Sequence, residues 1–404
     1  LLQASGNSVA QLIGIAGIPV LTRLYTPEAF AVQGVFIQLV MFFAAIVTLR
    51  FEYFTPLLND ESEYWLLSSW LFRTGLSITI MLCIIMAVLE LYGFWEWAGI
   101  ISSSLYIAAP ITAFLISVSF LFQFEAQRRN NFRKSAVAEV SSKVCYVFSG
   151  VALSAFGSGA GLIMTTAFGA LGKILSLHKF AVPYSQGHFL RVAPLISRFR
   201  ARSTAMVFSN IILSASSALP VFYIGFSYGA NDLGQFTLVM ATIFLPSGLI
   251  GAAVGNVFYQ RAAFLWNQRE CMALTELWAS TVSKLLLISL PVFALVYMVS
   301  PWAYPFVFGE EWGKAGQIAQ ILCFASLFAF IAGPLDRLTI VINVSWYLPL
   351  VHSLRLALIV VLVAAVNNGL QDFLLFYSVL MAVLYTMDIV FARVLLWLRS
   401  SECR

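Results

Sequence analysis

The sequence predicts an all-α polytopic membrane protein, with about twelve transmembrane helices in two parallel-repeat six-helix bundles around a central cavity. Three observations carry that prediction. Of 404 residues, 61% are apolar and only 10% charged, where soluble chains hold about 25% charged residues. The apolar residues run continuously over about 18 positions or more, the length a helix needs to cross a bilayer. Basic residues gather in a few connections that alternate with charge-poor ones. This composition excludes a soluble enzyme, a disordered chain and a secreted disulfide scaffold. A porin-type barrel would need alternating segments of about ten residues.

The first apolar run, 5–22, has no basic segment before it and no small-residue cleavage site, so it reads as a helix rather than a signal peptide. Residue 1 is Leu, which points to a start further upstream. The run is polar for a span. Asn7 and Gln11, four positions apart, share a face, and either bond a neighbouring helix or line a cavity. Gly17 and Pro19 are expected to bend it. Spans follow at 31–49, 66–90, 100–124, 138–156 and 160–177. The GSGAG between the last two carries no charge and suits a tight turn better than a phosphate loop.

A basic segment, 178–204, comes next. Its arginines alternate with Phe189, Leu190, Leu195, Ile196 and Phe199, as expected for a stretch lying on the inner headgroup layer. The second set of spans is 205–226, 234–254, 275–299, 316–341, 349–366 and 373–397, and Gly251 with Gly255 marks close helix packing. The expected organisation is an N-terminal bundle over 1–178, a basic linker over 179–204 and a C-terminal bundle over 205–404.

Two short matches support a repeat. IPVLTRLYTPEAFAVQGVF (18–36) and LPVFYIGFSYGANDLGQF (219–236) each place a Pro near a helix end, then an aromatic, a polar turn and a new helix. Sixteen of the 23 basic residues fall on one side of the resulting layout, and only Arg23 and Lys314 on the other. The Lys and Arg bias therefore puts both termini in the cytoplasm.

Lys143 and Lys173, within the spans 138–156 and 160–177, are counted with the neighbouring basic connections; the remaining five basic residues, Arg73, Lys284, Arg337, Arg355 and Arg393, also fall inside spans. An ionised side chain at the bilayer centre costs about 2.5–3.5 kcal/mol. A water-filled cavity relieves that cost, and cations lining it would attract an anion. Snorkelling of Arg73 and Arg393, or pairing of Arg337 with Asp336, are the simpler readings. The expected anion site is Arg23, Lys284 and Arg355, assisted by Arg73 and Arg337. Glu52, Asp336 and Asp388 are candidates for a coupling proton or sodium, or else partners of Arg50, Arg337 and Arg393. The five cysteines and three histidines are too scattered for a disulfide framework or a metal site. No nucleophile–base or paired-carboxylate constellation stands out, so no enzyme is expected. The basic stretch 125–134 abuts a span, which favours anionic membrane lipids over nucleic acid.

Three motifs, LTRLYTPEAF (21–30), LRFEYFTPLLNDESE (49–63) and VFGEEWGKAG (307–316), resemble the polysaccharide biosynthesis or O-antigen flippase family (Wzx-like). That family lies within the multidrug/oligosaccharidyl-lipid/polysaccharide exporter superfamily. The chain departs from the pattern at Ala31, where members have Gly, and at Leu58, where a Pro is frequent. The resemblance implies flipping of an undecaprenyl-diphosphate-linked oligosaccharide, an O-antigen or related repeat unit, across the bacterial inner membrane by alternating access. It implies no cofactor beyond a coupling H+ or Na+, with a polysaccharide polymerase and chain-length machinery as partners. The alternatives are a drug or cation antiporter of the same superfamily, which would favour buried carboxylates, and a membrane-embedded glycosyltransferase or polymerase, which would need a long acidic extramembrane loop.

Overall fold

The computed structural model describes residues 2–399 apart from 59, 95–103, 157–158, 181–188, 244, 337, 343, 345 and 367–368. The described residues form helices joined by short turns, with no strand among them. In chain order the main helices are α1 (Leu2–Thr22), α2 (Pro27–Val47), α3 (Glu61–Leu91), α4 (Ala108–Arg128), α5 (Phe132–Leu153), α6 (Ala160–Ser176) and α7 (Phe189–Tyr228). Then come α8 (Ala230–Ile243), α9 (Leu245–Asn267), α10 (Cys271–Phe308), α11 (Gly313–Ala332), α12 (Tyr347–Ala365) and α13 (Leu370–Arg399). Among the described residues nine helices are long and apolar enough to cross a membrane, and α1 and α6 add shorter apolar ones. The twelve expected spans fall on α1 to α7, on α8 with α9, and on α10 to α13. Packing divides the chain into two compact units, Leu1–Gly234 and Gln235–Arg404.

Local chemistry sets the helix starts. Pro27 takes the first position of α2, where its missing N–H is no loss. Asp60 caps α3 by accepting from the Ser62 N–H at 2.9 Å, and the Ser62 hydroxyl, donating at 2.7 Å, followed by that N–H, holds its exposed carboxyl below the usual carboxylate range. Asn131 caps α5 by accepting from the Lys134 N–H. One expected helix is broken: the 316–341 span ends as a helix at Ala332, passes through a turn at Gly333–Leu335 and resumes as one turn, Leu338–Val341. Gly333 and Pro334 at the break disfavour helix and remove a donor. Pro334 instead packs 3.3–3.7 Å from the Cβ positions of Gly251 and Gly255, so that glycine pair is a close-packing surface as expected.

The segment expected to lie on lipid headgroups needs correcting. Residues 189–204 open α7 and run without a break into its spanning part. The face carrying Val192, Leu195 and Phe199 is buried in a hydrophobic cluster with Phe51, Phe54, Tyr64, Leu121 and Phe180. Protein, not lipid, covers these residues, while Arg198, Arg200 and Arg202 are exposed. Arg198 lies over the Phe199 ring.

Candidate functional site

In unit 1, α1 presents Gly6, Gly14 and Gly17 to α5, where they meet Ala136, Lys143 and Val147. The absent side chains let the two helices approach closely. Asn7 and Gln11 border this face; Asn7 is exposed and Gln11 half-buried. α1 is helical through Pro19. Arg23, just beyond its end, is exposed. The neighbouring Tyr25 hydroxyl donates to the Gly150 carbonyl of α5 at 2.8 Å and so pins the α1–α2 turn. The two repeat segments also meet inside this unit. Gly234 lies so close to the Pro27 carbonyl that a Cβ has no room, and the Asn231 amide donates to Glu28 at 3.0 Å. Ala31 is fully buried. Arg73 is half-buried on α3.

The second family motif explains Glu52. Leu49 and Arg50 take left-handed backbone conformations, φ 50° and 58°, which cost L-residues energy. Ser203 of α7 donates to the Leu49 carbonyl at 2.5 Å, and Arg50 reaches Asn210 of α7 at 3.1 Å. Glu52 is 2% exposed and faces Arg50 at 3.7 Å. Burial pushes its carboxyl up from the usual range, against the smaller opposing pull of Arg50. Glu52 is therefore an Arg50 partner, one of the two roles expected for it.

Not every cation of the basic connection is available. Arg128 and Arg129 pair with the buried Glu125 at 3.6 and 2.5 Å, and Arg128 also lies over Tyr64. Arg133 and Lys134 are exposed. Sequence reasoning missed one group altogether. Lys173, counted with the cytoplasmic connection, is buried within α6 and donates to Glu139 of α5 at 2.7 Å. The signal was present: Glu139 and Lys173 both lie within apolar runs.

In unit 2, Lys284 is exposed on α10. Arg355 is half-buried on α12 with its guanidinium 5.8 Å from the centre of the Tyr385 ring. Its Nε is buried without a hydrogen-bond partner among the described residues. The Tyr347 hydroxyl donates to Asp388 at 2.5 Å, and no ion pair joins Asp388 to Arg393 among the described residues. Asp336, Thr339, Tyr347 and Asp388 line one cavity of about 10 Å³. Two of the carboxylates expected to take an ion are thus brought together. Arg337 lies outside the described residues. The third motif is structural here: Gly309 has φ 117°, Trp312 is fully buried, and the Gln235 amide clasps this turn, donating to the Glu311 carbonyl and accepting from the Ala315 N–H.

Comparison with known proteins agrees with this architecture. Residues 20–317 match the family model described as polysaccharide biosynthesis protein. The chain is 24% identical over 318 residues to the succinoglycan biosynthesis transport protein ExoT of Rhizobium meliloti (strain 1021). That match covers 76% of this chain and spans 61% of the relative's length. Among solved structures it superposes on a multidrug resistance MATE family transporter of the MOP superfamily in its inward-facing conformation. There the TM-score is 0.64 at 11% identity, covering 99% of this chain and 94% of the other. The outward-facing form gives 0.62 at 13% identity, covering 99% and 96%. At such identities the likeness establishes the fold, a two-repeat helical bundle.

Proposed function

The chain belongs to the polysaccharide biosynthesis protein family, and from that premise we propose that it exports a lipid-linked glycan. The substrate is an undecaprenyl-diphosphate-linked oligosaccharide, moved from the cytoplasmic to the periplasmic leaflet of the bacterial inner membrane by alternating access. Both chain termini are cytoplasmic in this reading. Arg23, Lys284 and Arg355, assisted by Arg73 and Arg337, take the diphosphate in successive weak contacts rather than one deep trap. The observation that carries the reading is Arg355. It sits midway along a helix of spanning length, held by Tyr377 and Tyr385 and within electrostatic reach of Asp336 and Asp388, yet its Nε is buried without a hydrogen-bond partner among the described residues. That open donor inside the membrane accommodates a further acceptor, and Arg grips phosphate bidentately.

Asp336 and Asp388 take the coupling proton or sodium, since oxygen donors around a cavity of one-water size suit a small hard cation. Exposed Arg133, Lys134, Arg198, Arg200 and Arg202 face anionic lipid headgroups, and a polysaccharide polymerase with its chain-length machinery receives the product. Deleting the gene tests the reading. A lipid-linked saccharide should accumulate on the cytoplasmic leaflet; unchanged saccharide with new drug sensitivity would establish the antiporter instead.

A further inference from the structure

The interior of unit 1 holds a charged group that the reading above leaves unused. On α5, Glu139 accepts at a single oxygen from Lys173 of α6 at 2.7 Å and from Gln123 of α4 at 2.8 Å. Gln123 also donates to Ser135 at 3.1 Å. One oxygen of this carboxylate is therefore committed, and Lys173 has its ion pair. Lys143 stands four residues further along α5, on the same face of the helix as Glu139. It lies about 16 Å from the helix start at 1.5 Å per residue, near the middle of α5. Among the described residues it makes no ion pair. Its ammonium lies 5.7 Å from the centre of the Tyr146 ring, and its stem runs past Gly14 of α1, 3.6 Å from the Cβ position there. Two lysines thus share one carboxylate at spanning depth, and the surplus charge belongs to Lys143. Asn7 and Gln11 border the same glycine face of α1, seven and three positions before Gly14.

We propose that Lys143 binds a phosphate of the transported headgroup within unit 1, with Glu139 and Lys173 as positioning residues. This rests on the lipid-linked substrate of the proposed function. Lys173 holds the carboxylate away from Lys143; without it, Glu139 and Lys143 would pair along the helix and cancel each other.

The test uses the purified full chain and its thermal unfolding with inorganic pyrophosphate or with undecaprenyl diphosphate in mixed micelles. Both ligands should raise the unfolding temperature of the wild type. Lys143→Met should lose most of that shift and Lys143→Arg keep it. Lys173→Met should also lose it, while Glu139→Gln combined with Lys173→Met should recover it, because Lys143 is then released. A merely structural role of the trio would show no recovery in the double variant. If Lys143→Met does not fold, the Lys173 single and double variants decide the matter alone. A normal shift in Lys143→Met, no recovery in the double variant, or no wild-type response to either ligand overturns the proposal. So does a response to pyrophosphate with none to undecaprenyl diphosphate, which would make the ligand a soluble phosphate. A Lys143-dependent shift to both ligands, in a protein whose deletion accumulates no lipid-linked saccharide, upholds the anion site and removes the export reading.

Discussion

Phe199 stacks on Phe54, ring centres 4.9 Å apart and planes within 13°, and this contact seats the amphipathic start of α7 on the rest of unit 1. Phe199 is 4% exposed, so truncating it opens a cavity in a packed cluster. Phe199→Ala should destabilise the protein by about 3 kcal/mol, as large aromatic truncations in cores do. Arg200→Gln, on the exposed side of the same turn, should change stability by less than about 0.5 kcal/mol. Denaturant unfolding of the purified variants measures both. Equal small effects would mean that lipid, not protein, covers this face.

Tyr25 gives the Leu-Thr-Arg-Leu-Tyr motif a physical reason. Its hydroxyl is bonded to the Gly150 carbonyl and occupies the space a side chain at Gly161 would need, so one phenol ties the α1–α2 turn to α5 and α6. Tyr25→Phe removes the bond and keeps the ring. The expected loss is about 1 kcal/mol, the net worth of a buried neutral hydrogen bond, read as a lower unfolding temperature. Gly161→Ala alone should fold poorly, because its methyl meets the phenol oxygen as well as the Cβ and carbonyl oxygen of Leu153, and combining it with Tyr25→Phe should recover only the part of the loss due to the phenol. Independent, additive effects of the two substitutions would refute the contact.

Much of this architecture is legible in the sequence because it follows from short-range chemistry. Apolar run lengths locate the spans, although α2 starts at Pro27, before the expected 31, and Gly251 with Gly255 marks a packing face. What escaped are choices made between distant segments. Glu139 and Lys173 are 34 positions apart, and counting Lys173 by its place near a connection hid its depth. Arginines alternating with Leu195 and Phe199 fit a lipid surface and a protein surface equally well, and only Phe54 decides between them. Arg393 is the partner that nearness in sequence suggests for Asp388, yet five positions along a helix put the two on different faces. The hydrogen bond of Asp388 instead goes to Tyr347, 41 positions away.

Glu52 makes stability depend on pH in a stated direction. Its carboxyl is raised from 4.5 by burial, so the folded state favours the protonated form. Its contribution is fully present below about the unfolded value and declines as pH rises through the raised folded one. Glu52→Gln imitates the protonated acid without titrating. Wild type minus Glu52→Gln stability should therefore fall as pH climbs from about 4 towards neutrality. Unfolding temperatures across that range check the slope. A difference that rises with pH would show that Arg50, not burial, dominates.

The pairing of Tyr347 with Asp388 yields the last prediction. Tyr347 engages one oxygen of Asp388, and the cavity it helps line, with Asp336 and Thr339, holds about 10 Å³. That is room for one water or a small cation. If an ion occupies this site during export, neutralising Asp388 should uncouple transport without unfolding the protein, because the Tyr347 hydroxyl can still donate to the amide oxygen of Asp388→Asn. Export measured as surface polysaccharide in a deletion strain should drop about tenfold, equivalent to about 1.4 kcal/mol, at unchanged membrane abundance. Residual export should also stop responding to collapse of the sodium or proton gradient. Tyr347→Phe keeps both carboxylates and should weaken export less, while retaining the gradient response. Full, gradient-sensitive export in Asp388→Asn would place the coupling ion elsewhere, and gradient-insensitive export in the wild type would mean that no ion drives the cycle.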